Sequence, residues 1–241
     1  MGNLSKRALG AHPFPIFPAR PERLMTDVTP FSTQVRERTA TDHSSSEGAD
    51  FMADLMRGRG TREDYAALTA QHFFIYEALE AAADAQANDP VAGAFVFESL
   101  RRLPSLERDL EFLLGDGWRE QIAPLPTTVN YVARINEVGP SWAGGLIAHH
   151  YTRYLGDLSG GQYIARLMKR QFELDERGIE FYAFPEIEDA AAFKDAYRAL
   201  LDGLELDDAE RERVIEEIVR AYAYNTELFV DLTAAKAAAA A

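Results

Sequence analysis

The stretch Tyr154-Leu155-Gly156-Asp157-Leu158-Ser159-Gly160-Gly161-Gln162 puts three glycines within six residues of a segment that otherwise reads as helix. Each glycine costs roughly 1 kcal/mol relative to alanine in a helix interior. Beyond them Ile164, Ala165, Arg166, Leu167 and Met168 continue the helical pattern, so something offsets that cost. Gly156 and Gly160 lie one turn apart and bare the backbone on one face. Bare backbone admits a flat ligand or another helix at close range and permits a kink. Asp157 borders that face and Arg153 stands one turn before it. On residue pattern alone, a close crossing of two helices accounts for the glycines as well as a ligand does.

A second pattern is His43 with Glu47 one turn later on the same face. A carboxylate so placed accepts the imidazole Nδ1–H, directly or through water, and leaves Nε2 directed outward as a metal ligand. His12, His72, His149 and His150 have no such support, and most histidines are simply packed or exposed. Neither His149 nor His150 has Glu three residues earlier, since Leu146 and Ile147 stand there, so a helical di-metal carboxylate site is not expected. Lys194 and Arg198 put two cations on one helical face, an arrangement that is ordinarily just solvated surface. The chain has no cysteine, which excludes disulfides, Fe–S clusters and thiolate-held metals and fits a reducing cytoplasm.

The elements that must position these residues are helical almost throughout. Apolar periodicity predicts helices over about Ser32–Met56, stopped by Gly58-Arg59-Gly60, and from Thr61-x-x-Asp64, a capping-box variant, onward. Others fall within about 91–114 (ending at Gly115), 117–123, 127–138, Ser141–Phe172, 189–202 and 207–232, with Phe181-Tyr182-Ala183-Phe184-Pro185 in a loop. No period-two segment demands a sheet and no internal repeat occurs. The class is all-α, with one domain over 31–232. Residues 1–30 hold five of the eleven prolines and read as a disordered tail, with Met25 as an alternative start; 233–241 read as a frayed alanine-rich tail. The length suffices for a core without disulfides. The net charge of −14 argues against nucleic acid as a partner, and no apolar run is long enough to span a membrane.

The glycine string resembles the signature of the haem oxygenase family, and the match extends over most of residues 32–232. Arg36-x₆-His43-x₃-Glu47 followed by Phe51-Met52 is similar to the family's proximal helix, and Phe73-x-x-Tyr76-x-x-Leu79-Glu80 to its second helix. Ala148-His149-His150-Tyr151-x-Arg153-Tyr154 leads into the signature as in bacterial members. Phe193-Lys194-x-x-Tyr197-Arg198 and Asn225-x₃-Phe229-x-x-Leu232 resemble the last two helices, and the blocks keep their order and spacing.

The resemblance implies a single-domain helical fold that holds haem b, both cofactor and substrate, between a proximal helix and a kinked distal one. O₂-dependent cleavage at a meso carbon, the α carbon being expected, would give biliverdin, CO and ferrous iron. It makes His43 the axial iron ligand, backed by Glu47, and Asp157 a distal carboxylate holding water near bound O₂, with Tyr76 and Arg153 in the same network. Gly156 and Gly160 would bring backbone close to the haem. Arg36, Tyr151, Lys194 and Arg198 match positions that hold the propionates, although Arg36 stands where relatives often have Lys, and Arg keeps the charge but not the geometry. Asn225 and Phe229 complete the expected haem-binding set. No G-x-G-x-x-G follows a strand, so electrons are expected from outside, from a ferredoxin-like protein or an NAD(P)H-dependent reductase. With no apolar anchor after Leu232, a soluble, cytoplasmic, monomeric bacterial type serving iron acquisition is expected. The competing expectation is a protein of the same fold that stores or transfers haem without degrading it; an intact Asp157 with Gly156 and Gly160 favours the enzyme.

Overall fold

The computed structural model describes residues 29–47 and 50–239, with nothing said of the side chains of residues 45–47. The expectations for the proline-rich start therefore fall, save for its last two residues, outside the described residues. Among the described residues there are helices and turns and no strand. No helix among them is long and apolar enough to cross a membrane.

The first expected helix is three: α1 (Phe31–Arg38), α2 (Ala40–Glu47) and α3 (Asp50–Met56). The first break is at Thr39 (φ −106°, ψ 5°), whose hydroxyl donates to the Val35 carbonyl at 2.9 Å. This back-bonding lets a short polar side chain compete with the helix's own ladder. α1 begins after Pro30 and is capped in trans, the Ser32 N–H donating to Asp202 at 2.8 Å.

α4 (Arg62–Ala85) starts where the sequence placed it. Thr61 and Asp64 bond each other's backbone N–H groups in a reciprocal capping box, at 3.2 and 2.8 Å. It is the central helix, with Tyr65, Leu68, Ile75, Tyr76 and Leu79 all at 1% exposure or less. The region expected to form a third helix opens instead with two 3₁₀ turns, Ala92–Phe95 and Glu98–Leu100, before α5 (Leu103–Leu114). α5 carries Pro104 in its first turn and stops at Gly115, whose φ of 85° suits glycine. The short helix expected at 117–123 is a single 3₁₀ turn, Trp118–Glu120, and α6 (Pro126–Val138) follows with proline at its start.

The long helix expected from 141 to 172 is continuous but not uniform. α7 (Ala143–His150) passes into two π-helical segments, Tyr151–Leu155 and Asp157–Gly161, and then α8 (Gln162–Gln171). The π turns fall on the glycine signature; such widened turns are rare and concentrate at functional sites. α9 (Ala190–Asp202) is capped by Asp189. α10 (Asp208–Ala239) packs on α7, α2, α3 and α6. It continues beyond the expected end near 232, and Lys236 pairs there with Asp64 at 2.6 Å.

Candidate active site

The π segments set the site. Asp157 is half-buried, and its carboxylate accepts a hydrogen bond from the hydroxyl of fully buried Tyr76 on α4. Arg153 lies over the Tyr76 ring, with Cζ 5.1 Å from the centroid. Arg153, one turn before Asp157, acts on that carboxylate through its charge. Its guanidinium donates to Asn225 Oδ1 on α10, at 2.8 Å. Burial raises the Asp157 carboxyl above the usual carboxylate range, while the Arg153 charge, the Tyr76 hydrogen bond and Arg102 pull it back. A carboxyl balanced in this way is suited to holding and passing a proton.

The three glycines separate into two kinds. A Cβ added to Gly161 would lie 2.8 Å from the Tyr182 ring, so this glycine is required by packing. Cβ atoms added at Gly156 or Gly160 would meet nothing within 4 Å among the described residues, and both glycines are exposed. Packing within the chain does not require glycine at either position, so the bare backbone there is open to a flat ligand.

His43 lies on the exposed side of α2, its ring edge-on to buried Tyr222 of α10 at 5.7 Å. Glu47 ends α2, and its side chain lies outside the description. Phe51 of α3 stacks on Phe229 of α10 at 6.4 Å, with planes 8° apart. α10 thus bridges the two halves: Tyr222 touches His43, and Asn225, three residues on, holds Arg153.

The basic residues gather at another edge. Burial raises the half-buried Tyr151 hydroxyl, and Arg198 and Arg36 lower it in turn, so three of the four expected anion-binding residues share one neighbourhood. The fourth, Lys194, reaches Ser159 Oγ in the second π segment at 3.1 Å, while Arg198 pairs with Asp195 at 2.7 Å. α9 therefore puts its cations beside the glycine-bared turn.

Sequence reasoning missed two supports. The first is the loop around Phe181 and Tyr182, which forms the wall behind the cluster. Phe181 packs edge-on to Tyr76 at 5.2 Å, and the Tyr182 carbonyl accepts from Gln162 at 2.8 Å. Asp109 of α5 accepts the Glu180 and Phe181 N–H groups at 2.9 and 2.8 Å, and Arg102 donates to the Phe181 and Ala183 carbonyls and stacks on Phe184. The second is the ion cluster of Glu217 (α10), Arg134 (α6) and His149 (α7), with contacts of 2.6 to 3.0 Å. A lone carboxylate or arginine in an amphipathic helix gives no signal that its partner lies two helices away.

Between that cluster and Asp157, the Tyr131 hydroxyl, His149 Nδ1 and Arg153 Nε are buried without a hydrogen-bond partner among the described residues. Buried polar groups are almost always satisfied, by ordered water where no protein group is available. The donor set thus fits haem: a solvent-facing imidazole, bare backbone for a planar ring, cations for its carboxylates, and polar atoms spare for water.

Fold and site together define an all-helical protein built to hold a planar, anionic ligand beside a proton-bearing cluster. A profile of the heme oxygenase family matches residues 29–231. Heme oxygenase 1 of Homo sapiens is 38% identical over 216 residues, covering 88% of this chain and 75% of that protein. Heme oxygenase 1 of the cyanobacterium Synechocystis is 35% identical over 201 residues, covering 83% and 84%. The crystal structure of the Synechocystis heme oxygenase-1 in complex with heme superposes with a TM-score of 0.81 at 34% identity, over 85% of this chain and 92% of that one. The chain belongs to the haem oxygenase family, whose members cleave haem to biliverdin.

Proposed function

We propose that this chain cleaves haem at the α-meso carbon with O₂, using His43 as the axial ligand and Asp157 as the residue that holds and passes protons. Haem supplies the iron at which O₂ binds and is reduced, and its own ring carbon is the atom oxidised. The reading is carried by the hydrogen-bonded set Tyr76–Asp157 and Arg153–Asn225, set directly beside the open backbone of Gly156 and Gly160.

In this reading His43 would direct Nε2 at the iron, with Glu47 as the expected acceptor for Nδ1–H, directly or through water, that fixes the tautomer. Tyr76 holds one carboxylate oxygen of Asp157, leaving the other to bind water on the ligand side. The Arg153 charge opposes the upward pull of burial on the Asp157 carboxyl, and in this reading that carboxyl is the group that accepts and returns the proton. Asn225 fixes Arg153, and Phe229, stacked on Phe51, packs the floor below His43. The absence of side chains at Gly156 and Gly160 lets the backbone press against the distal face and confines O₂ toward the ring edge.

Arg36, Tyr151, Lys194 and Arg198 take the two propionates and so set the rotation of the ring in its pocket. That rotation decides which meso carbon meets the oxygen. The electrons come from a separate ferredoxin-like protein or NAD(P)H-dependent reductase docking at the same cationic edge. The reducing cytoplasm, where such donors work and where a cysteine-free chain is at home, is the proposed compartment.

The test is an optical titration with one equivalent of haemin, then ascorbate under air with an iron chelator. Loss of the Soret band with growth of the broad red absorption of biliverdin and release of CO is expected, and Asp157→Ala is expected to bind haem yet fail to produce biliverdin. A Soret band that persists when a reductase and ferredoxin are supplied would overturn the reading.

A further inference from the structure

A line of electron-rich rings leads from the Asp157 cluster into the core. Tyr76 is edge-on to Tyr154 at 5.3 Å, Tyr154 lies 4.3 Å from His150, and His150 stacks on Tyr197 at 5.7 Å with planes 10° apart. Tyr197 is in turn 6.4 Å from half-buried Tyr151. Each ring from Tyr76 to Tyr197 is at 2% exposure or less. Electron tunnelling weakens steeply with distance, so rings in van der Waals succession form a fast path. None of Tyr154, His150 or Tyr197 has a part in the proposed haem chemistry.

One feature gives the path a direction, and its far end has a proton acceptor of its own. The Arg153 guanidinium over the Tyr76 ring stabilises that ring's electrons and makes it harder to oxidise. At the other end, His150 Nδ1 and the Tyr197 hydroxyl are 3.0 Å apart. A phenol gives up an electron far more readily when its proton can leave at the same time, and a neutral imidazole in hydrogen-bond contact is such an acceptor. Burial pulls His150 down to about 3, so it is neutral in the resting protein. The same burial disfavours the imidazolium, so only a strong oxidant drives the transfer, and the proton returns as soon as an electron is supplied.

We propose that Tyr197, with His150 as its proton acceptor, is a sink for oxidising equivalents that stray from the haem, fed through Tyr76 and Tyr154. The oxidant is hydrogen peroxide reacting at bound haem. Its reduction to two waters takes two electrons and two protons from solvent: Tyr197 gives one electron by this route, and the haem lends the other until the reductant replaces it. Tyr197 loses that electron to the haem and its phenolic proton to His150 Nδ1, leaving a neutral phenoxyl radical and an imidazolium. A reductant such as ascorbate, entering at Tyr151, returns the Tyr197 electron and replaces the one lent by the haem, and His150 returns the proton. The device keeps a damaging oxidant from remaining beside Asp157. It rests on the reading that this site holds haem.

The test is electron paramagnetic resonance of the haem complex, frozen at intervals after one equivalent of peroxide without a reductase. Wild type is expected to give a tyrosyl signal, Tyr197→Phe to lose most of it, and His150→Phe to weaken it and change its hydrogen-bond-sensitive g-anisotropy. Both variants are expected to bleach haem faster under peroxide. A wild-type signal whose yield and hyperfine pattern survive Tyr197→Phe would overturn the proposal, as would no tyrosyl signal at the earliest times. A parallel arm oxidises the haem-free protein with a photo-excited ruthenium polypyridyl complex and compares the same variants. A missing Soret band before peroxide is added speaks against the haem site; loss of the difference between variants in this second arm speaks against the sink.

Discussion

Gly160 and Gly161 are neighbours with opposite reasons for lacking a side chain. Gly160→Ala adds a methyl that meets open space, and relieving a helical glycine is worth about 1 kcal/mol. The haem-free variant is therefore expected to be more stable in urea than wild type by up to about that amount, while binding haem more weakly in a Soret titration. Gly161→Ala forces the Tyr182 ring to move and is expected to lower stability instead. A Gly160→Ala protein that is destabilised, or that binds haem as wild type does, would contradict the assignment of that backbone to the ligand. The two glycines could not be told apart in the sequence. The atom that distinguishes them belongs to Tyr182, which packing alone brings to Gly161. Asp157 stood out by its place in the string, but its hydrogen bond to Tyr76, 81 residues away, is a product of the fold.

At the scale of elements, the legible features are those whose cause is local. The Thr61–Asp64 capping box and the Gly115 stop act within a few residues, so both helix ends could be read directly. A kink was legible from the glycines, but its form as two π segments was not, because the spacing of Gly156, Gly160 and Gly161 does not distinguish a widened turn from an ordinary bend. The break at Thr39 and the extension of α10 to Ala239 go with a side-chain bond and an ion pair between residues far apart in the sequence. The loop behind the site is held by Asp109, which accepts two backbone N–H groups with its two oxygens. Asp109→Asn supplies one acceptor where two are used and is expected to cost about 1–3 kcal/mol at pH 7, the penalty of one orphaned buried donor. Burial also raises the Asp109 carboxyl to about 6 from an ordinary 3.8. Between those values the folded chain binds a proton that the unfolded chain releases. The contribution of Asp109 is therefore fully present below 3.8 and is lost as pH rises through about 6. Denaturation at pH 5 and pH 7 checks this: the fall in stability with pH should be shallower in Asp109→Asn, and an unchanged slope would remove Asp109 as its source.

Over the whole molecule, α10 is the member to which both sides of the site are referred. Its first turns hold α1 through the paired Arg38–Glu212 bonds, both 2.6 Å, its middle touches His43 and Arg153, and its end is pinned by Lys236 to the start of α4. Its registry against α6 and α7 depends on Glu217, 3% exposed, which receives Arg134 at 2.9 and 2.6 Å and faces His149 at 3.0 Å. Burial pushes the Glu217 carboxyl up, but the hydrogen bonds from Arg134 and His149 prevail and hold it at about 2, below its ordinary 4.5. A depressed carboxyl stabilises the fold at every pH above 4.5, and that stability drains away as pH falls toward 2. Arg134→Leu leaves Glu217 a buried charge facing His149 and, at 3.8 Å, the half-exposed Arg220. The loss at pH 7 is expected near the low end of the roughly 3–5 kcal/mol found when a buried pair is broken, because Arg134 itself is partly exposed. Because the loss comes from an ionised Glu217, the gap between wild type and Arg134→Leu should narrow as the pH of a urea titration is lowered below 4.5. With α10 released, the Tyr222 and Asn225 contacts loosen together, so haem affinity should fall although Arg134 touches no part of the proposed pocket. A stability gap equal at pH 7 and pH 4, or undiminished haem affinity in a measurably destabilised variant, would show that α10 is held in register by something else.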